Sequence, residues 1–312
     1  MIKKVAVVFP GQGSQYEGMG KDIINSDLEI GNIYKKLDSI VGKDVAKIIL
    51  DAKKEDLFKT RYAQLAIFLN SVLLYKEFMN KYRAYIRVVS STGLSLGEYS
   101  ALCSGGVFDI ETGIRLINER GQIMETGAAG KGGMVAVMKT DLQTVSNMIS
   151  EVKEKNEGVI DICNLNSPVQ IVVGGGFDLL EKFKEKCLEN KIKRVMDLGV
   201  EGPFHTYILR ESSIEFGKLL TKIRYNMPIY KIYSNYDANE YQEVAEFSSK
   251  LQKQMYSPVY FEKIIRKMLE DGVNDFIEIG PGKTLNGFIK KIDRRANIYN
   301  IQNIGDIENF EL

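Results

Sequence analysis

Two residues of this chain have the chemistry of a nucleophile and its base. Ser95 lies at the centre of Gly93-Leu94-Ser95-Leu96-Gly97, and His205 is the only histidine among 312 residues. A serine hydroxyl is a poor nucleophile until a base within hydrogen-bond reach takes its proton. His205 lies within Glu201-Gly202-Pro203-Phe204-His205-Thr206, whose composition predicts a loop or turn. The Gly-x-Ser-x-Gly spacing is that of a strand–turn–helix elbow, which thrusts the serine hydroxyl outward. Glycine is needed at both ends because strand and helix backbones come together there, where a Cβ would clash. Asp197, at the end of an expected strand, is a candidate to orient the imidazole.

Charge developing on an attacked carbonyl needs two backbone N–H donors. Leu96, directly after the serine, is the first candidate. Gln12, in the glycine loop Pro10-Gly11-Gln12-Gly13-Ser14-Gln15, is the second. That loop has neither the Lys-Ser/Thr of a P-loop nor the GxGxxG spacing of a dinucleotide fold, so neither ligand is expected. Cys103, Cys163 and Cys187 are far apart with no CxxC pair, and one histidine adds little, so no metal site is expected. Three free thiols fit a reducing compartment.

The elements that must position these residues can be read along the chain. The apolar run Val5 to Phe9 predicts a buried strand leading into the glycine loop. Residues 21–83 read mostly as helix, most clearly from Tyr62 to Met79. Tyr85 to Ser91 reads as the strand before the elbow, and a helix follows it to about Gly105-Gly106. Asp109 is placed to cap the next helix, which carries Ile110, Ile114, Ile117 and Met124. Beyond a glycine-rich joint the pattern changes. Strands are expected at Met134–Met138, Val159–Cys163, Gln170–Val173 and Lys193–Leu198, with helices at Asp141–Val152 and Phe177–Leu188. The loop Asn164 to Pro168 is expected between the middle two strands. This βαββαβ order is the ferredoxin-like arrangement. It predicts a small inserted subdomain at 130–198 within a large domain made of 1–129 and 199–312. A helix at Phe261–Glu270 and a strand at Asp275–Glu278 complete the reading, and alternating strands and helices predict a mainly parallel sheet.

Composition excludes several functions. With 44% hydrophobic and 27% charged residues the chain is ordinary for a globular protein. Lys plus Arg is 42 against 41 for Asp plus Glu, which gives no reason to expect a nucleic-acid or membrane surface. The apolar stretch after Met1 is too short for a signal-peptide core, and nothing later is long enough to span a bilayer. A cytoplasmic enzyme is the expectation.

Taken together, Phe9-Pro-Gly-Gln-Gly-Ser-Gln15, Gly93-Leu-Ser-Leu-Gly-Glu-Tyr-Ser-Ala-Leu102, Glu119-Arg-Gly-Gln-Ile-Met124, Gly202-Pro-Phe-His205 and Glu278-Ile-Gly-Pro-Gly-Lys283 resemble the malonyl-CoA:acyl-carrier-protein transacylases of fatty acid synthesis and their polyketide relatives. The resemblance runs from residue 5 to about 293. It implies a hydrolase-like α/β core with a ferredoxin-like insertion. It implies Ser95 as nucleophile, His205 as base, and Gln12 and Leu96 as oxyanion-hole amides. Arg120 would bind the malonyl carboxylate, for which a guanidinium fork is apt. Met124, Phe204 and Asn166 would touch substrate, with Asn164 nearby. Phe204 fits relatives that prefer malonyl over α-methylated units. The chain departs from the pattern at Leu94, where many relatives have histidine, and at Tyr260, where glutamine is common. The resemblance implies that the main-chain carbonyl at Tyr260 orients His205, making a Ser–His dyad rather than a triad.

The implied reaction is ping-pong transfer of malonyl from malonyl-CoA through Ser95 to the phosphopantetheine thiol of an acyl carrier protein, with no metal or dissociable cofactor. A monomer is expected. An acidic carrier would meet a basic rim, for which Lys263, Arg266, Lys267, Lys290, Lys291, Arg294 and Arg295 are candidates. The rivals are a polyketide-pathway acyltransferase, an editing hydrolase, a serine esterase and a docking protein with a dead site. Arg120 favours carboxylated substrates over general hydrolysis.

Overall fold

The computed structural model describes residues 2–26, 29–42, 47, 49–50 and 54–311. Parts of the helical reading of 21–83 lie outside these described residues. Nine strands form two separate sheets among them. The larger sheet contains β1 (Lys3–Phe9), β2 (Ile86–Gly93), β7 (Lys231–Ile232), β8 (Asp275–Ile279) and β9 (Asn297–Ile301), in the order β7-β2-β1-β8-β9. Every pairing in it is parallel. Parallel strands covered on both faces carry continuous apolar runs, and Val5 through Phe9 are wholly buried. The helix Thr60–Tyr82 contributes Leu65, Leu69, Val72, Leu73 and Phe78 to the main core. It buries residues on every side, so its sequence is less amphipathic than a surface helix requires. Burying each such leucine contributes roughly 1.5–3 kcal/mol.

The smaller sheet contains β3 (Gly133–Met138), β4 (Ile160–Ser167), β5 (Gln170–Gly175) and β6 (Val195–Asp197), ordered β4-β5-β3-β6 and wholly antiparallel. The helices Leu142–Lys155 and Phe177–Glu189 pack on one face through Val145, Met148, Leu180 and Phe183. Asp109 caps its helix as expected, accepting from the amide of Thr112, and Asp141 caps the helix it was expected to begin, accepting from the amide of Thr144.

One expectation fails here. Asn164 and Asn166 are not in a loop, because β4 continues through Ser167. The extension is held from both sides. Leu165 N donates to Val259 O and Val259 N donates to Cys163 O, at 2.9 and 2.8 Å, while β5 pairs with the other edge across two register shifts. This contact also joins the small sheet to the segment that leads into the helix Phe261–Glu270. Among the described residues no helix is long and apolar enough to cross a membrane.

Candidate active site

β2 ends at Gly93 and the helix Leu96–Ser104 begins at Leu96, so the chain reverses within two residues. Ser95 occupies the turn with φ 55° and ψ −99°, a strained conformation for a residue with a side chain. A Cβ at Gly97 would land on the main chain of Phe9, and one at Gly93 on the main chain of Gly97. Asn235 staples the turn: its Oδ1 accepts from Ser95 N at 2.7 Å and its Nδ2 donates to Gly93 O at 2.8 Å. Leu96 opens the helix, where the first amide groups have no intrahelical partner.

His205 arrives from the turn after β6, also with a positive φ of 60°. Its Nε2 lies 2.7 Å from Ser95 Oγ, and its Nδ1 lies 2.7 Å from the carbonyl oxygen of Gln254. The orienting carbonyl therefore belongs to Gln254 and not to Tyr260. Gln254 is the last residue of the helix Glu246–Gln254, where carbonyls lack intrahelical donors and mark the negative end of the helix dipole. Tyr260 stands at the start of the next helix, and its carbonyl is used there, accepting from Ile264 N at 3.1 Å. Asp197 does not approach the imidazole; it is exposed and pairs with Lys184 at 3.1 Å. Burial, and secondarily the charge of Arg120, pull His205 down to about 4, against the main-chain groups of Gln254 and Ser257. The imidazole is thus neutral at physiological pH and suited to accept a proton.

Arg120 is fully buried in the helix Ile110–Ala128. Its Nη1 donates to Gln64 Oε1 at 2.7 Å, and its Nη2 donates to Gln254 Oε1 at 3.0 Å and to Ser95 Oγ at 3.1 Å. The guanidinium also lies 5.0 Å from the Tyr99 ring centroid. Burial lowers its proton affinity, opposed by Tyr99 and Glu98. Glu98 is equally buried, and burial pushes its carboxyl up to about 7 despite three hydrogen-bond donors and the nearby Arg120 charge.

A cavity of about 310 Å³ opens over Ser95 and His205. Gln12, Leu96, Met124, Asn164, Asn166 and Phe204 all border it, and Tyr260 does not. Gln12 is held by a bond from its Nε2 to Thr60 Oγ1 at 3.1 Å, and Asn166 by one from its Nδ2 to Gln170 at 2.8 Å. Leu94 lines the same space. Of the basic rim, Arg266 pairs with Glu262 and Arg295 with Asp293, each close in sequence. Among the described residues no group of three His, Cys, Asp or Glu side chains could hold a metal ion.

Gln64, Asn235, Gln254 and Glu98 reach the site without having been singled out for it from the sequence. Glu98 stands in a quoted motif, and Gln64 is a polar residue within an apolar helix. Those two carried a signal, whereas Asn235 and Gln254 carried none.

A family model described as an acyl transferase domain matches residues 6–308. The chain belongs to the acyl transferase family. This acyl transferase is 33% identical over 308 residues to the malonyl CoA-acyl carrier protein transacylase of Bacillus subtilis (strain 168), covering 98% of this chain and 96% of that protein. Its fold is similar to the crystal structure of malonyl CoA-acyl carrier protein transacylase from Clostridium perfringens ATCC 13124, with a TM-score of 0.90, 34% identity and coverage of 98% and 95% of the two chains. It is also similar to a malonyl-transacylase in complex with its type II PKS acyl-carrier protein, with a TM-score of 0.92, 27% identity and 98% of each chain covered.

Proposed function

We propose that this acyl transferase moves a malonyl group from malonyl-CoA to the phosphopantetheine thiol of an acyl carrier protein, through a malonyl ester on Ser95. The observation that carries the reading is the Arg120 guanidinium, buried and 3.1 Å from Ser95 Oγ. A cation so placed favours an acyl group with a free carboxylate, which it can take in two parallel hydrogen bonds.

In the first half-reaction His205 Nε2 removes the Ser95 proton as Oγ attacks the thioester carbonyl. The amides of Gln12 and Leu96 stabilise the oxyanion. The tetrahedral intermediate collapses, the C–S bond breaks, and CoA leaves as its thiol with the proton that His205 held. In the second half-reaction the carrier thiol gives its proton to His205 and attacks the ester. Ser95 then leaves and recovers that proton. Met124, Phe204 and Asn166 shape the acyl and pantetheine path, and no dissociable cofactor takes part. The reading includes a monomer acting in the cytoplasm, with a large domain of 1–129 and 199–312 and a small one of 130–198.

The test is to incubate the protein with malonyl-CoA, weigh it intact, and then add holo carrier protein. A malonyl adduct on Ser95 that moves to the carrier is the expected result. Loss of the adduct to water, with no malonyl carrier formed, would sink the transferase reading.

A further inference from the structure

Glu98 sits in the first turn of the helix that follows Ser95, fully buried, and three donors from one distant stretch of the chain, 235–254, converge on its carboxylate. Tyr241 O–H reaches Oε1 at 2.6 Å. Gln254 Nε2 and the main-chain N–H of Asn235 both reach Oε2, at 2.6 and 3.1 Å. The last two donors belong to the residues that hold the reactive groups. Gln254 supplies the carbonyl behind His205 and the Oε1 that accepts from Arg120, and its Nε2 also donates to Ser95 O at 2.9 Å. Asn235 accepts from Ser95 N and donates to Gly93 O.

We infer that Glu98 is a positioning residue for acyl transfer: its carboxylate ties Gln254 and Asn235 to the helix that carries the elbow, and so fixes Ser95, His205 and Arg120 relative to one another. The inference rests on the reading of Ser95 and His205 as nucleophile and base. Glu98 makes no hydrogen bond to any of these three side chains and acts through the two amide residues. Local chain geometry cannot do this work, because Ser95, Arg120, His205 and Gln254 come from four separate segments. A displacement of about 1 Å among reacting groups costs about a hundredfold in rate. A merely structural buried carboxylate would behave differently, since its loss would lower stability through the unpaired donors and leave the reaction rate of the folded protein unchanged.

The choice of variants follows from the donors. In Glu98→Gln the amide oxygen can take the Oε2 place and keep both N–H donors, while Tyr241 reverses its hydroxyl to accept from the new NH2. Glu98→Leu fills the space and accepts nothing. The readout is the rate at which a fluorophosphonate probe labels Ser95, with malonyl loading from malonyl-CoA measured alongside. The probe reports the Ser95–His205 pair without requiring a malonyl substrate. Glu98→Gln should stay within about tenfold of the parent, whereas Glu98→Leu should lose about a hundredfold in labelling and in the loading rate at saturation, with a far smaller change in KM. If Glu98→Leu does not unfold cooperatively, Glu98→Asp replaces it, because the shorter side chain withdraws the carboxylate from both N–H donors, and it should fall about tenfold below the parent. Labelling within about threefold of the parent, in a folded Glu98→Leu or in Glu98→Asp, overturns the inference. A parent protein that labels with the probe yet takes no malonyl from malonyl-CoA overturns the malonyl reading alone.

Discussion

The Arg120 guanidinium donates to Ser95 Oγ across 3.1 Å, which leaves the serine hydroxyl its own proton to donate elsewhere. Because Oγ accepts from Arg120, its own proton is free to point at His205 Nε2, 2.7 Å away. On the far side of the ring the Gln254 carbonyl can only accept, so Nδ1 carries the imidazole proton and Nε2 is left as the acceptor. The cation beside Oγ also favours the negative charge that grows there during proton loss.

The depressed His205 value predicts an unusual pH profile. The base form is complete well above about 4, so kcat/KM for malonyl loading should stay level from neutrality down to mildly acid pH and fall only near that value. The stability consequence has a defined sign. His205 is depressed in the folded state, so between about 4 and the ordinary value of 6.5 the unfolded chain binds the extra proton. Its contribution is present above 6.5 and is lost as the pH falls through that window. A kinetic midpoint at the ordinary histidine value would refute the assignment.

Arg120→Ala should separate substrates. Malonyl loading should fall by about a hundredfold and acetyl loading by much less, since only malonyl offers a carboxylate to the fork. The same change removes a charge that depresses His205, so the acid limb of the profile should move upward. Intact-mass kinetics with the two CoA esters measure the first effect, and equal losses for both would remove the carboxylate role.

Gly97→Ala tests the elbow itself. The added methyl meets the main chain of Phe9, which is held in the middle of the parallel sheet and cannot give way cheaply. Destabilisation of roughly 1–3 kcal/mol, read from the urea midpoint, is expected together with loss of Ser95 loading. An unchanged midpoint would show that the turn relaxes more freely than its packing implies.

Phe204 borders the cavity and is itself buried, so its ring limits the room beside the acyl chain. Phe204→Ala should raise methylmalonyl loading relative to malonyl by about tenfold, the scale that one methyl group commands. Competition between the two CoA esters, followed by mass, gives the ratio directly.

What could be read from the sequence divides by the kind of signal each residue carries. The elbow was legible because only glycine tolerates its two close approaches, and that demand appears as residue type at fixed spacing. The helix cap at Asp109 and the order of the small sheet were legible for similar local reasons. The partner of His205 was not. A main-chain carbonyl has no residue type, so its expected place fell on Tyr260 in the same stretch of chain rather than on the helix end at Gln254. Asn164 and Asn166 look like turn residues locally, and pairing with β5 on one side and with the distant Val259 edge on the other makes them strand. Asn235 and Gln254 are polar residues without pattern until folding brings them beneath Ser95.

The neutral carbonyl behind His205 also bears on which bonds such a site can cleave. A full carboxylate would stabilise the imidazolium formed during attack, and a carbonyl dipole does so less. The burden then shifts to the leaving group. An amine must be protonated firmly to depart, but a thiol that ionises near about 8.5 leaves with little assistance. A base backed in this way suits activated sulfur esters, whose thiol departs without firm protonation, better than it suits amides.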